Sequence, residues 1–319
     1  MSDDPTRARP ALRPFDFVFI LRPSALVPLW VFFGHAARIA GRGASSPGFT
    51  LLPSRDAVLG LFAMTAILAG GYVLNQIRDI ETDSLNEKLF FLPRGIISVR
   101  VAAIEMTVLW GAAIAVTLVL PGRFWWWAAA ALLMNITYSL PPVSAKSRFP
   151  LDLIWNGVGF GLVGAGAGWA VTSDPTGVTW LLAASYSLLA GGIIASATVL
   201  DVDGDRAQGM RTAATVLGVR RAGLTAIIAL VVAAILGGIG RDAVGFAVPL
   251  LSLPLLVRAQ RTGDRSHRIM AGEFAVGVLA LVAGVRAPYL LVLLAMVYFG
   301  SRAYYRARFG FAYPGPGAR

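Results

Sequence analysis

The sequence predicts an all-α fold, a polytopic bundle of nine or ten transmembrane helices, and three observations support this prediction. Hydrophobic residues make up 56% of the 319 residues and charged residues only 14%, and the mean hydropathy is +0.68. Apolar runs that approach or exceed the roughly 20 residues needed to cross a bilayer recur along the chain. Lys and Arg residues gather in alternate loops between these runs. We therefore expect one membrane domain rather than two soluble domains.

Ten apolar runs are candidate spans. They begin near Phe17, Ala57, Val101, Trp125, Leu151, Val178, Ala222, Ala243, Phe274 and Tyr289. The fourth, eighth and ninth runs are short, which leaves the count at nine or ten. Arg22-Pro23 interrupts the first run and no convincing cleavage site follows it, so we expect this helix to remain and not to be removed as a signal peptide.

The same runs set the domain boundaries. We expect a cytoplasmic N-terminal tail over 1–14, a single transmembrane domain over 15–308 and a flexible C-terminal tail over 309–319. The Pro-Gly-Pro-Gly sequence of the last segment is typical of irregular chain.

The basic residues orient the bundle. With ten spans and the N terminus inside, 21 of the 28 Lys and Arg residues fall on the inner side, six fall outside and Arg22 lies within the first span. The net charge of +11 then indicates a cytoplasmic face attracted to anionic membrane lipids. Scattered basic residues without interleaved aromatic residues argue against a nucleic-acid partner. We expect an integral protein of a bacterial or archaeal cell membrane.

Several kinds of site are excluded by the residue inventory. The chain has no cysteine, which excludes disulfides and thiolate catalysis. Its two histidines, His35 and His267, are predicted to be structural, so zinc sites and Ser-His-Asp catalysis lack their ligands.

Small residues mark the fifth apolar run. Its glycines are Gly157, Gly159, Gly161, Gly164, Gly166 and Gly168. We interpret them as sites of close helix packing, with ligand contact as the alternative.

Seven of the seventeen acidic residues lie in two short windows, 79–87 and 201–205, each at the end of a long apolar stretch. Carboxylates beside membrane spans are energetically expensive and mark functional sites by default. Neither window has a matching cluster of Lys or Arg. The sequence therefore predicts bound cations, and the orientation places both windows on the cytoplasmic side.

Two aspartates of the first acidic window are evenly spaced with an asparagine that precedes it. Asn75, Asp79 and Asp83 are four residues apart, so on a helix their oxygens share one face and can reach one ion. Mg²⁺ takes such oxygen ligands and commonly shares them with a substrate's phosphates. Glu81 and Glu87 fall on other faces and are predicted to be solvated. The alternative for the whole window is an ordinary juxtamembrane acidic patch.

The second acidic window has the same spacing between its aspartates as the first. Asp201 and Asp205 are four residues apart, and Arg206 and Arg211 follow them. The role of Asp203, which lies between the two aspartates, is left open. Facing carboxylates repel one another unless a cation lies between them. A diphosphate clamped by two divalent ions would resolve this repulsion.

Further cations lie on the same predicted side. Lys88 and Arg94 follow the first window and are positioned to hold phosphate oxygens. The stretch from Tyr138 to Arg148 closes the fourth run and carries Lys146. This stretch is either an ordinary proline-broken loop or a docking place for an anionic group.

These residues together resemble the UbiA-type intramembrane prenyltransferase superfamily over about residues 15–220. The family's Asn-x3-Asp-x3-Asp and Asp-x3-Asp motifs match Asn75, Asp79, Asp83, Asp201 and Asp205. The other matches are Arg22-Pro23, the Tyr-Ser-x-Pro-Pro segment from Tyr138 to Pro142, its trailing Lys146, and the Gly-x2-Thr of Gly209 and Thr212 followed by Leu217-Gly218.

The resemblance implies a helical bundle, usually of nine spans, with a central cavity that opens to the membrane for an isoprenoid tail. It implies Mg²⁺-dependent transfer of a prenyl group from a prenyl diphosphate donor to a hydrophobic or aromatic acceptor. Two Mg²⁺ ions are expected, one on Asn75, Asp79 and Asp83, the other on Asp201 and Asp205. Tyr138 would stabilise a cation or orient the acceptor. The expected substrate contacts are Asn75, Arg22, Lys88, Arg94, Lys146, Arg206 and Arg211.

The chain departs from the family at two places. Phe90 and Arg94 stand in the first and fifth positions of the Arg-Pro-Leu-Pro-Ser-Gly sequence that many relatives carry. Ser144 stands where an arginine is usual before the central Leu-Lys. We expect the basic contact to the diphosphate to have moved to Arg94 or Lys88, and the resemblance implies no basic contact at Ser144.

The acceptor is less well defined by the sequence. Asn75-Gln76 resembles the group with aromatic acceptors such as homogentisate, whereas Leu85-Asn86-Glu87 is similar to chlorophyll synthases. We favour an aromatic quinone precursor over a lipid glycerol phosphate, a tetrapyrrole or a carotenoid. The rival functions are a secondary transporter or ion pathway that uses intramembrane carboxylates, and a catalytically silent lipid-binding relative.

Overall fold

The computed structural model describes residues 11–40, 42–43, 45, 48–85, 91–174, 176–311 and 313. Within these residues the protein is helical, and pairing of extended chain is limited to one isolated bridge between Arg148 and Arg211. Six helices of the described chain are long and apolar enough to cross a membrane. The predicted membrane helical bundle is thus confirmed, and the count of nine or ten spans stays a prediction.

Fifteen α-helices follow one another along the described chain. They are α1 (Asp16–Phe19), α2 (Pro23–Ile39), α3 (Arg55–Arg78), α4 (Ile80–Leu85), α5 (Val99–Thr117), α6 (Gly122–Ser139), α7 (Leu151–Gly157), α8 (Ala165–Ala170), α9 (Gly177–Thr198), α10 (Val202–Ala207), α11 (Ala213–Leu217), α12 (Val219–Ile239), α13 (Ala243–Thr262), α14 (Arg265–Gly284) and α15 (Pro288–Phe309). A 3₁₀ turn covers Ala145–Ser147, and a π-helical turn, Val158–Gly164, joins α7 to α8.

Local sequence explains where the long helices begin. Ser54 precedes α3 and its Oγ accepts a hydrogen bond from the backbone N of Ala57 at 3.2 Å. Ser98 precedes α5 and accepts from the N of Val101 at 3.3 Å. Each cap satisfies a backbone donor that the first helical turn leaves without a partner.

The second helix, α2, lies at the centre of the bundle. Phe32 on one side of α2 belongs to a buried cluster with Trp169 and Tyr186. Phe33 on the other side belongs to a second buried cluster with Phe124. Because lipid tails are as apolar as these side chains, tight packing and polar contacts hold such helices together.

The glycines of the fifth run allow two close helix contacts. A Cβ atom at Gly161 would collide with the backbone of Tyr186 and Ser187 in α9, and one at Gly168 would collide with the backbone of Phe33 in α2. The packing interpretation therefore holds at these positions. Gly159 differs, because it lines the cavity described below.

We expect Gly161→Ala to lower the stability of the folded protein by about 1–3 kcal/mol, because the added methyl group overpacks a backbone contact. Gly277→Ala in α14 is the matched control, since nothing lies within 4 Å of a Cβ there. Thermal unfolding in detergent, followed by gel filtration of the soluble fraction, measures both. Equal melting temperatures for the two variants would contradict the packing role of Gly161.

A buried polar cluster ties three helices at the end of the bundle that lies away from both acidic windows. Nε2 of His35 lies 2.7 Å from Oδ1 of Asp242. The hydroxyl of Tyr186 and the backbone N of Gly245 donate to Oδ2 of Asp242 at 3.0 and 2.7 Å. Asp242 thus caps α13 and also joins it to α2 and α9. The structural role expected for His35 agrees with this arrangement.

Candidate active site

The two acidic windows converge on one cavity, which we call the main cavity, of about 520 Å³. Asn75, Asp79, Asp83, Asp201 and Asp205 all line it. The rest of its wall is largely apolar and includes Leu29, Met64, Ile67, Leu68, Met134, Phe160 and Val276. A polar mouth therefore leads into an apolar interior.

The first motif spans the end of a helix. α3 ends at Arg78, and the N of the capping residue Asp79 donates to the carbonyl of Asn75 at 3.0 Å. The N of Asp83 then donates to the carbonyl of Asp79 at 2.7 Å as α4 begins. The spacing predicted one continuous helix. The structure has a break at Asp79, yet it keeps all three side chains on the main cavity.

The second motif lies on a short helix. Asp201 precedes α10, and the N of Asp205 donates to the carbonyl of Asp201 at 2.8 Å. Oγ1 of Thr212 donates to Oδ2 of Asp205 at 2.9 Å and orients that carboxylate. Asp203 points away, with a side chain that is 95% exposed and lies 3.8 Å from Arg206. The role left undecided for Asp203 is thus a surface one.

The central loop reaches the first motif through Lys146. Its ammonium group forms an ion pair with Asp79 and donates to Oδ1 of Asn75 at 3.1 Å. Oγ of Ser139 donates to the same Asn75 oxygen at 3.2 Å. The Lys146 side chain is only 14% exposed. This loop is therefore part of the site and not an ordinary surface connection.

The main cavity carries an excess of negative charge. Among the described residues that line it, five are carboxylates and two are basic: Asp79, Asp83, Asp152, Asp201 and Asp205 against Arg22 and Lys146. Carboxylates crowded in this way repel one another unless cations lie between them. Mg²⁺ prefers these ligands, so the residues fit the expected ion. In the described chain no group of three or more acidic, His or Cys side chains surrounds one point, and Mg²⁺ commonly completes its ligands from phosphates and water.

Two tyrosines and Arg22 complete the mouth of the main cavity. Arg22 lies in the break between α1 and α2 with a left-handed backbone, φ 55°. Its guanidinium lies 5.3 Å from the ring centre of Tyr72. Tyr138, expected to contact a cation or the acceptor, lines the same wall and accepts a weak hydrogen bond from Nδ2 of Asn156 at 3.4 Å.

The structure does not bring all the predicted phosphate contacts to the main cavity. Arg94 lies 5.9 Å from the ring centre of Phe309, because its loop packs against α15. Arg206 pairs with Asp203 on the exposed face of α10. Arg211 lines a smaller neighbouring pocket. Lys88 lies outside the described residues. Arg22 and Lys146 remain as basic residues on the main cavity.

Sequence reasoning missed three parts of the site. Asp152 lines the main cavity, and its Oδ2 accepts from the backbone N of Ala213 at 2.7 Å. An acidic residue directly at the start of the fifth apolar run was the available signal. Gln208, three residues after Asp205, also lines the cavity. The π-helical turn, which presents Gly159 and Phe160 to the cavity, has no comparable sequence signal.

Known proteins resemble this chain in sequence and in fold. It is 31% identical over 210 residues to the digeranylgeranylglyceryl phosphate synthase of Natronomonas pharaonis, covering 64% of this chain and 69% of that protein. It is 27% identical over 186 residues to the bacteriochlorophyll synthase 34 kDa chain of Chloroflexus aurantiacus, covering 58% of each. A UbiA homolog from Archaeoglobus fulgidus bound to DMAPP and Mg²⁺ superimposes with a TM-score of 0.66 at 17% identity, covering 88% of this chain and 99% of that one.

The family assignment rests on the match along the chain. At 17% identity the likeness to the Archaeoglobus structure shows the fold alone. The UbiA prenyltransferase family model, in contrast, matches residues 27–275, which is most of the chain and includes both motifs. The resemblance read from those motifs is thereby confirmed, and this protein belongs to the UbiA prenyltransferase family.

Proposed function

We propose that this prenyltransferase moves a prenyl group from a prenyl diphosphate to a lipid acceptor in a reaction that requires Mg²⁺. The observation that carries the proposal is the main cavity, whose acidic mouth adjoins an apolar interior of the kind an isoprenoid tail needs. The Mg²⁺ and the prenyl diphosphate in the Archaeoglobus homolog support the same reading.

The residues at the mouth hold the diphosphate. We assign one Mg²⁺ to Asn75, Asp79 and Asp83 and a second to Asp201 and Asp205. Bound Mg²⁺ supplies Lewis-acid stabilisation of the departing diphosphate. Lys146 and Arg22 lie where they add charge-assisted hydrogen bonds to phosphate oxygens. Thr212 keeps the Asp205 carboxylate in place.

The interior of the main cavity holds the tail and excludes water. Met64, Met134 and Phe160 line it, so an allylic cation formed at the mouth is shielded from hydrolysis. The ring of Tyr138 faces the same space, where an aromatic face stabilises positive charge. The acidic ligands, the tail site and the ring together make a site for ionisation of an allylic diphosphate.

The acceptor that we propose is a lipid glycerol phosphate. The aromatic alternative depended on Gln76, but this side chain is buried, donates to the carbonyl of Ile20 at 2.7 Å and ties α3 to α1. It therefore carries no information about the acceptor. The relative from Natronomonas is named for a glyceryl phosphate product, which favours this class.

The rival transport function requires carboxylates near the middle of the membrane. Asp79 caps the end of α3 and Asp201 precedes α10, so both lie at helix ends. We place this end of the bundle at the cytoplasmic face, where the excess of Lys and Arg predicts it.

The test uses purified protein in detergent or nanodiscs with labelled geranylgeranyl diphosphate and Mg²⁺. The acceptors are a monoprenyl glycerol phosphate, an aromatic quinone precursor and a tetrapyrrole. We expect prenylated glycerol phosphate and equimolar diphosphate, loss of both products with EDTA, and recovery when Mg²⁺ is added back. Turnover that EDTA leaves unchanged, or no transfer to any of the three acceptors, would overturn the proposal.

A further inference from the structure

A second pocket opens beside the main cavity. It has a volume of about 400 Å³ and shares Asp79, Lys146, Gln208 and Met210 with the main cavity. Its other lining residues include three arginines, Arg78, Arg148 and Arg211, and we call it the arginine pocket. Four basic side chains and one carboxylate line it, so its charge is opposite in sign to that of the main cavity.

The three arginines come from separate segments that the fold holds together. Arg78 is the last residue of α3. The chain segments of Arg148 and Arg211 pair side by side: the N of Arg211 donates to the carbonyl of Ser147 at 3.0 Å, and the N of Phe149 donates to the carbonyl of Arg211 at 2.5 Å. This pairing uses backbone atoms only. It therefore fixes the positions of the Cα atoms of both arginines and leaves their side chains available to a ligand.

The chemistry of the arginine pocket suits a phosphate monoester. Guanidinium groups bind phosphate oxygens through paired hydrogen bonds, and several of them offset the charge of a dianion. Ser139, Ser144 and Ser147 add hydroxyl groups to the wall. A flat aromatic acceptor without an anionic group would offer the three guanidinium groups no oxygen of opposite charge.

Gln208 lies at the seam between the two spaces. Its Oε1 atom is buried and has no hydrogen-bond partner among the described residues. A buried carbonyl oxygen in this condition is unfavourable and calls for an explanation. Since Gln208 lines both the main cavity and the arginine pocket, a hydroxyl group of a ligand that occupies both would satisfy it.

We propose that the arginine pocket binds the phosphate of the acceptor and that Gln208 orients the acceptor's attacking hydroxyl. This inference rests on the proposed function and specifies the acceptor as an alcohol that carries a phosphate monoester. The bond from the allylic carbon to the diphosphate oxygen breaks first, and the hydroxyl oxygen then forms a bond to that carbon. The hydroxyl proton leaves to the released diphosphate, so atoms and charge balance.

The first experiment removes two arginines from the full-length protein. Arg148→Ala/Arg211→Ala is compared with Arg261→Ala/Arg265→Ala, two exposed residues that line neither space. The acceptors are a monoprenyl glycerol phosphate and the same monoprenyl glycerol without phosphate. We expect the pocket variant to raise the KM for the phosphorylated acceptor about tenfold or more, with an unchanged KM for geranylgeranyl diphosphate. Turnover of the acceptor without phosphate should not change.

The outcomes separate the two levels of the proposal. If wild-type protein transfers a prenyl group but both double variants behave alike, the pocket assignment fails and the proposed function stands. If wild-type protein transfers to neither acceptor, both fail. Assays in nanodiscs of neutral and of anionic lipid identify the source of the phosphate. A KM effect seen only in anionic lipid would assign these arginines to bulk headgroups and overturn the inference.

The second experiment tests Gln208 as a positioning residue. Gln208→Leu is expected to lower kcat about tenfold or more, with the acceptor KM and the melting temperature within about twofold and 2 °C of wild type. Gln208→Glu, which keeps an oxygen acceptor at the same length, should restore most of the loss. Equal kcat values for Gln208→Leu and wild type, or a loss that Gln208→Glu does not relieve, would overturn the role of Gln208.

Discussion

Asp79→Ala and Asp201→Ala are each expected to lower Mg²⁺-dependent prenyl transfer by about three orders of magnitude. Each change removes a carboxylate from the mouth of the main cavity, and metal stabilisation of a leaving group is worth several kcal/mol. Asp79→Ala also leaves the Lys146 ammonium group without its ion pair. Initial rates measured with labelled geranylgeranyl diphosphate, over a range of Mg²⁺ concentrations, show whether added metal compensates.

The acidic windows contain matched controls for these two changes. Glu81 is exposed, and the Asp203 side chain is 95% exposed. Glu81→Ala and Asp203→Ala remove the same charge from the same two segments without touching the main cavity, so we expect activity within about twofold of wild type. Wild-type activity in folded Asp79→Ala protein would contradict the metal assignment. So would an equal loss in Asp203→Ala and Asp201→Ala.

Asp242→Ala is expected to lower the free energy of unfolding by about 3–5 kcal/mol, because it removes a buried acceptor and each buried donor left without a partner costs about 1–3 kcal/mol. The change leaves His35, the Tyr186 hydroxyl and the N of Gly245 without their shared acceptor. Thermal unfolding in detergent measures the effect, and we expect a large fall in the melting temperature. Activity per folded molecule should change little, because this cluster lies away from the main cavity.

Asp174 provides the comparison for this second change. Its side chain is 80% exposed and lies 3.8 Å from Arg123, and exposed pairs of this kind contribute from zero to about 1 kcal/mol. Asp174→Ala should therefore have the same melting temperature as the wild type. Equal melting temperatures for Asp242→Ala and Asp174→Ala would show that the buried cluster does not hold the bundle together.

The motif carboxylates were predictable because their arrangement is local. Residues four apart on one helical segment stay on the same face even when the helix ends between them, as it does at Asp79. The convergence of the two windows was also predictable, because both follow apolar runs that end on the same side of the bundle. In both cases the position of a carboxylate relative to the end of an apolar helix is visible in the sequence.

The remaining parts of the site depend on contacts that spacing does not reveal. Asp152 lines the main cavity, where a backbone donor from Ala213, 61 residues later, holds its carboxylate. Arg94 was assigned to phosphate from its position after the first motif, but packing against α15 directs it elsewhere. Gln76 adjoins a motif residue and yet donates to the carbonyl of Ile20 and does not line the main cavity. Nearness in sequence did not decide which of these side chains reach the site.

The π-helical turn Val158–Gly164 has a consequence for comparing this chain with its relatives. A π turn contains one more residue than an α turn, and one residue corresponds to about 100° around a helix. In a homolog without this turn, an ungapped alignment across the fifth span would therefore shift every later position to a neighbouring face. Gly168 would then be matched with a residue that does not meet α2. A one-residue gap inside a membrane helix is the correct alignment in that case.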